Sequence, residues 1–239
     1  MSKSSEQLFP AALVARIVGR RGQLHLTKAI DPRHTALAVI DMQIAFTAPA
    51  QASETPSARA IIPAINRLSH ALREAGGHVA FSQGTFSDAP DGGWPGFFRR
   101  MVDPATAARI VAGLRPGAPG HALDPGLVVA PGDLVFPKCR YSAFARDASP
   151  LEPWLAERGV TTLIVAGTIT NVCCESTARD AMQLGYDTIM AADANAARDP
   201  AAHDATLATF IEFFGDVLTV DEILGFIAAS RGTAERGAA

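Results

Sequence analysis

Three side chains that together could carry out covalent hydrolysis each follow a short run of β-forming residues: Asp41, Lys138 and Cys173. The carboxyl ends of parallel strands meet at one edge of an α/β sheet, where active sites lie. A thiol, a carboxylate and an ammonium group at that edge provide a nucleophile, a base and a cation, which a covalent hydrolase needs. Taken singly, each residue also fits an ordinary role: a turn cap, a surface lysine or a core filler.

Two adjacent cysteines begin a helix predicted over residues 172–184, and its periodicity separates them. Cys174 shares an apolar stripe with Ala178 and Ala181, so we predict that it faces the sheet as an inert filler. Cys173 lies on a mixed face at the helix tip, where unpaired backbone N–H groups and the helix dipole favour a thiolate. Cys173 is therefore the predicted reactive cysteine.

Strand and helix patterns alternate along the chain. Predicted strands cover residues 36–40, 78–82, 133–137, 161–166, 187–192 and 216–220, and predicted helices cover residues 11–18, 57–75, 103–114, 151–158, 172–184, 200–213 and 221–229. This alternation predicts an α/β fold, a three-layer α/β/α sandwich with a mostly parallel six-stranded sheet.

The domain organisation is interpreted as one catalytic domain with two extensions. Residues 1–33 form an N-terminal arm or extension, residues 34–230 form the hydrolase domain, and residues 231–239 form a frayed tail. Residues 84–131 lack clear periodicity apart from the predicted helix over 103–114. An irregular stretch of that length within a domain is more often functional than idle, so we expect it to cover a substrate.

Composition excludes several classes of partner and cofactor. The 239 residues carry a net charge of −3 and no long basic run, which argues against nucleic acid and anionic membranes as partners. The three cysteines show no disulfide or zinc spacing, which favours a reducing, cytoplasmic location and no metal. The sequence has no dinucleotide-binding or P-loop motif, so we expect no cofactor.

Three segments resemble the signature regions of the isochorismatase-like cysteine hydrolases: AVIDMQIAF at 38–46, PKCRYSAF at 137–144 and GTITNVCCESTARDA at 167–181. The resemblance runs from about residue 33 to residue 226. It implies that Cys173 is the nucleophile, Asp41 the general base and Lys138 the third catalytic residue.

The same resemblance implies further features of the site. These are a non-proline cis peptide between Thr168 and Ile169, an oxyanion hole formed by the backbone N–H groups of Ile169 and Cys173, and assembly as a homodimer or homotetramer. The implied reaction is attack of the thiolate on an amide-like carbonyl, release of ammonia, and hydrolysis of the resulting thioester.

The motifs narrow the substrate class. Cys173 argues against the family members that cleave the vinyl ether of isochorismate, because those lack the nucleophilic cysteine. The segment SQGTFSD at 82–88 has no histidine, which argues against the metal-binding nicotinamidases. The chain looks most like the ureidoacrylate and N-carbamoyl amidohydrolases, whose substrates are small amide or ureido compounds.

Five residues are candidates for contacts with the substrate. Phe46, Trp94, Phe97 and Tyr141 could wall the pocket, although aromatic residues are as often plain packing. Gln83, at the end of a strand, is a candidate polar contact.

Other readings remain open. Arg99 or Arg100 could pair with a substrate carboxylate or be a solvated surface pair, and His203 is interpreted as a surface residue. The chain could also be a catalytically idle relative that binds a small molecule, or a redox protein using the vicinal pair Cys173 and Cys174.

Overall fold

The computed structural model describes residues 4–87, 89 and 92–237, and its centre is a sheet of six parallel strands. The strands are β1 (Thr35–Ile40), β2 (His78–Gly84), β3 (Leu134–Lys138), β4 (Thr162–Thr168), β5 (Asp187–Ala196) and β6 (Asp216–Leu218). The helices are α1 (Ala11–Arg21), α2 (Ile44–Thr47), α3 (Ile62–Glu74), α4 (Pro95–Phe98), α5 (Pro104–Gly113), α6 (Leu151–Glu157), α7 (Glu175–Gln183), α8 (Pro200–Phe213) and α9 (Val220–Gly237). Residues 1–3, 88, 90, 91, 238 and 239, which belong to the predicted arm, middle loop and tail, lie outside the described residues. In the described ranges, no helix has the length and apolar character needed to cross a membrane.

The inner strands are buried on both faces, as β1 shows, whereas Val135 and Pro137 of the edge strand β3 are exposed. All six residues of β1 are buried, and the five apolar ones alternate between two hydrophobic clusters. Ala36, Ala38 and Ile40 join a cluster with α1, α6, α7 and α8, whereas Leu37 and Val39 join a cluster with α3 and α9. Side chains alternate along a strand, so each face of the sheet binds its own layer of helices. The predicted three-layer α/β/α fold is confirmed.

The order of the strands brings three chain segments to one edge. The order is β3-β2-β1-β4-β5-β6, so the direction of strand addition reverses between β1 and β4. Ile40 of β1 pairs with Gly167 of β4 across that boundary. Gly84 of β2 pairs with Lys138 of β3. Open α/β sheets bind ligands beyond the carboxyl ends of strands at such a reversal.

Proline divides the predicted helix over residues 57–75. The structure has a 3₁₀ segment, Pro56–Ile61, before α3 begins at Ile62. Pro63 lies in the first turn of α3, where a missing N–H is tolerated because that group has no intrahelical acceptor. A continuous helix would have required the N–H that Pro63 lacks.

A capping box ends the last strand earlier than predicted. The hydroxyl and N–H of Thr219 both bind the carboxylate of Glu222, and the N–H of Glu222 contacts the Thr219 hydroxyl at 3.3 Å. This reciprocal arrangement is typical of helix N-termini, so β6 stops at Leu218 and α9 starts at Val220.

The segment before β1 packs on its own chain. Leu13 and Ile17 of α1 are buried in the main cluster, and His25 Nδ1 lies 2.8 Å from the carboxylate of Asp216 in β6. Ser5 donates a hydrogen bond of 2.9 Å to Glu222 of α9. Assembly as a homodimer or homotetramer remains a prediction of the family resemblance.

Candidate active site

Asp41, Lys138 and Cys173 line one cavity of about 310 Å³ at the carboxyl edge of the sheet. Their side chains are almost fully buried, with relative exposures of 1%, 2% and 6%. Residues from β1, β3 and the segment after β4 therefore meet in one place, as their positions at strand ends predict. This arrangement places a carboxylate, an ammonium group and a thiol on the wall of one cavity, the set of groups that covalent hydrolysis would need.

Asp41 is held through both of its carboxylate oxygens. Oδ2 lies 2.9 Å from Nζ of Lys138, and Oδ1 accepts a hydrogen bond of 2.6 Å from the hydroxyl of Ser82. The backbone N–H of Asp41 donates back to Ser82 Oγ at 3.0 Å, and the residue has a positive φ of 48°. Nonglycine residues rarely adopt this conformation, which occurs most often where the surroundings enforce it. Ser82, at the end of β2, is a positioning residue that sequence reasoning missed.

Cys173 lies in a π-helical turn, Thr170–Cys174, rather than at the tip of a regular α-helix. The N–H groups of Cys174 and Glu175 donate to the carbonyls of Ile169 and Thr170, five residues earlier in each case. Such wide turns are rare and are found frequently at functional sites.

The turn begins where the chain passes very close to β1. Gly167 has a φ of 115°, and a Cβ there would lie 2.2 Å from the carbonyl oxygen of Ile40. Only glycine can occupy this position, because any side chain would collide with the backbone that leads to Asp41. The peptide bond between Thr168 and Ile169 is cis, as the family resemblance implies.

The environment keeps the proton on the sulfur of Cys173. Burial, the carboxylate of Asp41 and a hydrogen bond with it together outweigh the opposing effect of Lys138 and raise the pKa of Cys173 to about 12. Only about 10⁻⁵ of such a thiol is ionised at pH 7. Desolvation therefore opposes the thiolate that the helix terminus is expected to favour, and burial has the larger effect in this cavity.

Lys138 is charged in the same cavity. Burial lowers its pKa, but Asp41 and Cys173 raise it by more, so the net pKa lies above the usual lysine value. Its Nζ also donates to the carbonyl of Arg140 at 2.7 Å. The resting site thus contains a thiol beside an ammonium–carboxylate pair.

Cys174 has the inert position predicted for it. It is fully buried and packs in the main cluster with Ala178 and Ala181. Burial raises the pKa of its thiol well above the ordinary value. The two cysteines therefore differ in their access to the cavity.

Five aromatic residues line the cavity: the four predicted ones, Phe46, Trp94, Phe97 and Tyr141, together with Phe86. The Trp94 and Phe97 rings stack at 5.1 Å, and Trp94 meets Tyr141 edge to face at 4.7 Å. These contacts join the middle loop to the segment that follows Lys138. Trp94, Phe97 and Tyr141 thus form one connected cluster, whereas Phe46 lines the cavity from a separate cluster with Ala45 and Leu114.

Gln83 does not reach the cavity, so its assignment as a substrate contact is wrong. Its amide donates a 2.8 Å hydrogen bond to the carbonyl of His121. Because side chains alternate along a strand, Ser82 and Gly84 share the face with Asp41, whereas Gln83 points to the other face. Gly84 lines the cavity in its place.

The arginines that line the cavity are not the two that the sequence analysis considered. Arg99 and Arg100 are exposed and are absent from the cavity wall, whereas Arg140 and Arg198 line it. Arg140 stands two residues after Lys138 and lies 5.3 Å above the ring of Trp94, a cation–π contact. Arg198 follows β5 at the same carboxyl edge of the sheet. This position after a strand could have identified it from the sequence.

His203 is not the surface residue that sequence reasoning proposed. It is half-buried, and its Nδ1 lies 2.9 Å from the hydroxyl of Thr170 in the π-helical turn that carries Cys173. His203 precedes Leu207 by one helical turn and Phe210 by two, which places it on the inward stripe of α8. This helical spacing could have predicted from the sequence that His203 faces inward.

The first prediction concerns the acidity of Cys173. In a Cys139→Ala/Cys174→Ala background, Cys173 is the sole thiol, and its rate of alkylation by iodoacetamide should rise about tenfold per pH unit from pH 6 to pH 10. The reason is that a thiol with a pKa near 12 remains mostly protonated throughout this range. A plateau below pH 9 would contradict the assignment.

The second prediction concerns the buried ion pair. Lys138→Met leaves the carboxylate of Asp41 without its partner and should lower the free energy of unfolding in urea by about 3–5 kcal/mol. The double variant Asp41→Asn/Lys138→Met removes both charges and should unfold at a urea concentration closer to that of the wild type. The stability lost by the double variant should be smaller than the sum of the losses in Lys138→Met and Asp41→Asn. An equal loss would show that the two charges are not coupled.

Comparison with known proteins identifies the family. A family model described as the isochorismatase domain matches residues 35–222. Ureidoacrylate amidohydrolase RutB of Methylobacterium radiotolerans is 35% identical over 216 residues, which cover 82% of this chain and 82% of that protein.

Solved structures agree with this match. A cysteine hydrolase from Pseudomonas syringae pv. phaseolicola 1448A has a TM-score of 0.75 and 29% identity, covering 85% of this chain and 96% of that one. N-carbamoylsarcosine amidase from Thermoplasma acidophilum has a TM-score of 0.62 and 25% identity, covering 78% of this chain and 96% of that one. Since the family model spans well over half of its length, this chain belongs to the isochorismatase family of hydrolases.

Proposed function

We propose that this protein is a cysteine-dependent amidohydrolase that cleaves the C–N bond of a small amide or ureido compound and releases ammonia. The observation that carries the proposal is the position of Cys173 beside the Asp41–Lys138 ion pair on the wall of one cavity. The similarity to a ureidoacrylate amidohydrolase and to an N-carbamoylsarcosine amidase supports the substrate class.

In the acylation step, Asp41 accepts the proton of the Cys173 thiol as the sulfur attacks the carbonyl carbon. A general base is required because the thiol is almost wholly protonated at rest. The tetrahedral intermediate collapses when the nitrogen takes that proton from Asp41, the C–N bond breaks and ammonia leaves. The product on the enzyme is a thioester, or a thiocarbamate when the substrate is a ureido compound.

In the deacylation step, Asp41 takes a proton from water as the water oxygen attacks the acyl carbon. The C–S bond then breaks, and the sulfur recovers its proton from Asp41. The acid or carbamate product leaves, and the resting thiol is restored. Each proton is returned, so the cycle consumes only water.

Charge that develops during these steps needs stabilisation. Lys138, 2.9 Å from Asp41, remains positive while the carboxylate alternates between its two protonation states. The backbone N–H groups of Ile169 and Cys173, both of which line the cavity, are the proposed oxyanion hole. A single donor in such a hole typically contributes about 3 kcal/mol to the stability of the transition state.

Two arginines suit a substrate that carries a carboxylate. Arg140 and Arg198 line a cavity that is otherwise mostly aromatic and aliphatic. The Nε of Arg198 donates to the carbonyl of Glu54 at 3.0 Å, which uses one of the five N–H groups of its guanidinium. The remaining fork matches a carboxylate in shape and charge. We assign this end of the cavity to the carboxylate of a ureido acid.

The third prediction tests the chemistry. Ammonia release should be measured for ureidoacrylate, N-carbamoyl amino acids, biuret and nicotinamide. Cys173→Ala should lower the rate to the level of the uncatalysed reaction, because the nucleophile is lost. Cys174→Ala should retain turnover, since Cys174 is a core residue away from the cavity.

Three results would oppose the proposal. Loss of turnover in Cys174→Ala but not in Cys173→Ala would reverse the assignment of the nucleophile. If no compound in the panel releases ammonia although iodoacetamide still alkylates Cys173, the proposed substrate class is wrong. If no compound releases ammonia and Cys173 does not react with iodoacetamide, the result favours a catalytically idle protein that binds a ligand.

The fourth prediction tests the carboxylate site. Arg198→Met should lower kcat/KM for carboxylate-bearing substrates by about 10- to 100-fold, the usual effect of one charge-assisted hydrogen bond, and should change biuret turnover little. Arg100→Met is the matched control, because Arg100 is exposed and absent from the cavity wall. An equal loss of kcat/KM for neutral and carboxylate-bearing substrates would show that Arg198 does not bind the carboxylate.

A further inference from the structure

Two side chains of α8 bind the two ends of the turn that carries Cys173. His203 Nδ1 lies 2.9 Å from the hydroxyl of Thr170, the first residue of the π-helical turn. The hydroxyl of Thr206 donates at 3.1 Å to the carboxylate of Glu175, the residue that follows the turn. Residues three apart lie on one face of a helix, so α8 presents both contacts together.

The contact with Thr170 is the one nearer to the strand that supports the turn. Thr170 is fully buried, so its hydroxyl depends on a protein partner rather than on bulk water. α8 is itself anchored by Leu207 and Phe210, which lie in the main cluster. A well-packed helix therefore fixes the position of the His203 imidazole relative to the turn.

His203 does not line the catalytic cavity but borders a second cavity of about 360 Å³ with Leu8, Phe9 and Leu207. Packing encloses the ring incompletely on that side, so the hydrogen bond to Thr170 orients the imidazole. Burial lowers the pKa of His203 by more than the nearby carboxylate of Asp204 raises it, which favours the neutral ring. A neutral ring offers one donor and one acceptor nitrogen, which suits a hydroxyl partner.

We propose that His203 is a positioning residue for the nucleophile: its hydrogen bond to Thr170 holds the π-helical turn so that Cys173 faces Asp41 and Lys138. His203 acts through Thr170 and has no contact with substrate. The predicted effect on turnover rests on the proposed amidohydrolase function, whereas the predicted effect on thiol reactivity does not.

The fifth prediction follows. His203→Ala should lower kcat about 10- to 100-fold with KM changed less than about twofold, because a displaced nucleophile affects the transition state and not the binding of substrate. In the Cys139→Ala/Cys174→Ala background, the same change should speed alkylation of Cys173 by iodoacetamide about tenfold, because a sulfur displaced from Asp41 and from the enclosed cavity ionises more readily. Thr209→Ala is the matched control: this α8 hydroxyl donates to Ala205 of its own helix, and its loss should alter neither rate.

Conservative replacements separate positioning from general stability. The amide of asparagine occupies the place of Nδ1, so His203→Asn should return both rates most of the way to the wild-type values, whereas His203→Gln, whose amide matches Nε2, should not. Thr170→Val should reproduce His203→Ala, and the double variant should differ from the wild type no more than either single variant.

The outcomes decide between the alternatives. Unchanged kcat and alkylation in a folded His203→Ala protein, or additive effects in the double variant, would overturn the inference. If His203→Ala fails to fold by circular dichroism, equal rates for His203→Asn and His203→Gln would overturn it, and recovery in the Asn variant alone would support it. If the wild type hydrolyses no compound in the panel, the alkylation rates test the inference on their own, and only the proposed function falls.

Discussion

The site depends on one buried ion pair, between Asp41 and Lys138. Neither charge has access to bulk water, so each is tolerated only because the other lies 2.9 Å away and Ser82 binds the remaining carboxylate oxygen. Three strand ends must therefore stay in register, since Asp41 directly follows β1, Ser82 lies near the end of β2 and Lys138 ends β3. The positive φ of Asp41 and the glycine at 167 are consequences of bringing these backbones so close together.

The same enclosure determines how the thiol can react. Removing water makes the ion pair strong, but it also disfavours the thiolate and raises the pKa of Cys173 to about 12. A base adjacent to the sulfur is then a requirement of the mechanism. The proposed role of Asp41 follows from this electrostatic balance, in which the carboxylate holds the proton on the sulfur at rest and receives it during attack.

Two parts of the protein contribute to the site: one holds the proposed reacting groups, and the other supplies aromatic residues of the cavity wall. Strand ends, the π-helical turn and α8 form the first part. The segment between β2 and β3 forms the second, where Phe86, Phe98 and Val111 build a small hydrophobic cluster that supports the aromatic wall of the cavity. Arg140 and Arg198 line the same cavity, which is the basis of the proposed carboxylate site.

Local patterns in the sequence were sufficient to predict the alternating strands and helices, the strand-end positions of Asp41, Lys138 and Cys173, and the inward face of Cys174, because each depends on periodicity along one element. The π-helical turn, the choice of Gly84 over Gln83, and the presence of Arg198 rather than Arg99 or Arg100 in the cavity depended on the tertiary structure. So did the raised pKa of Cys173 and the contact between His203 and Thr170. These features arise where segments distant in the chain meet, and the burial and charge at such a meeting point are properties of the assembled fold rather than of any one segment.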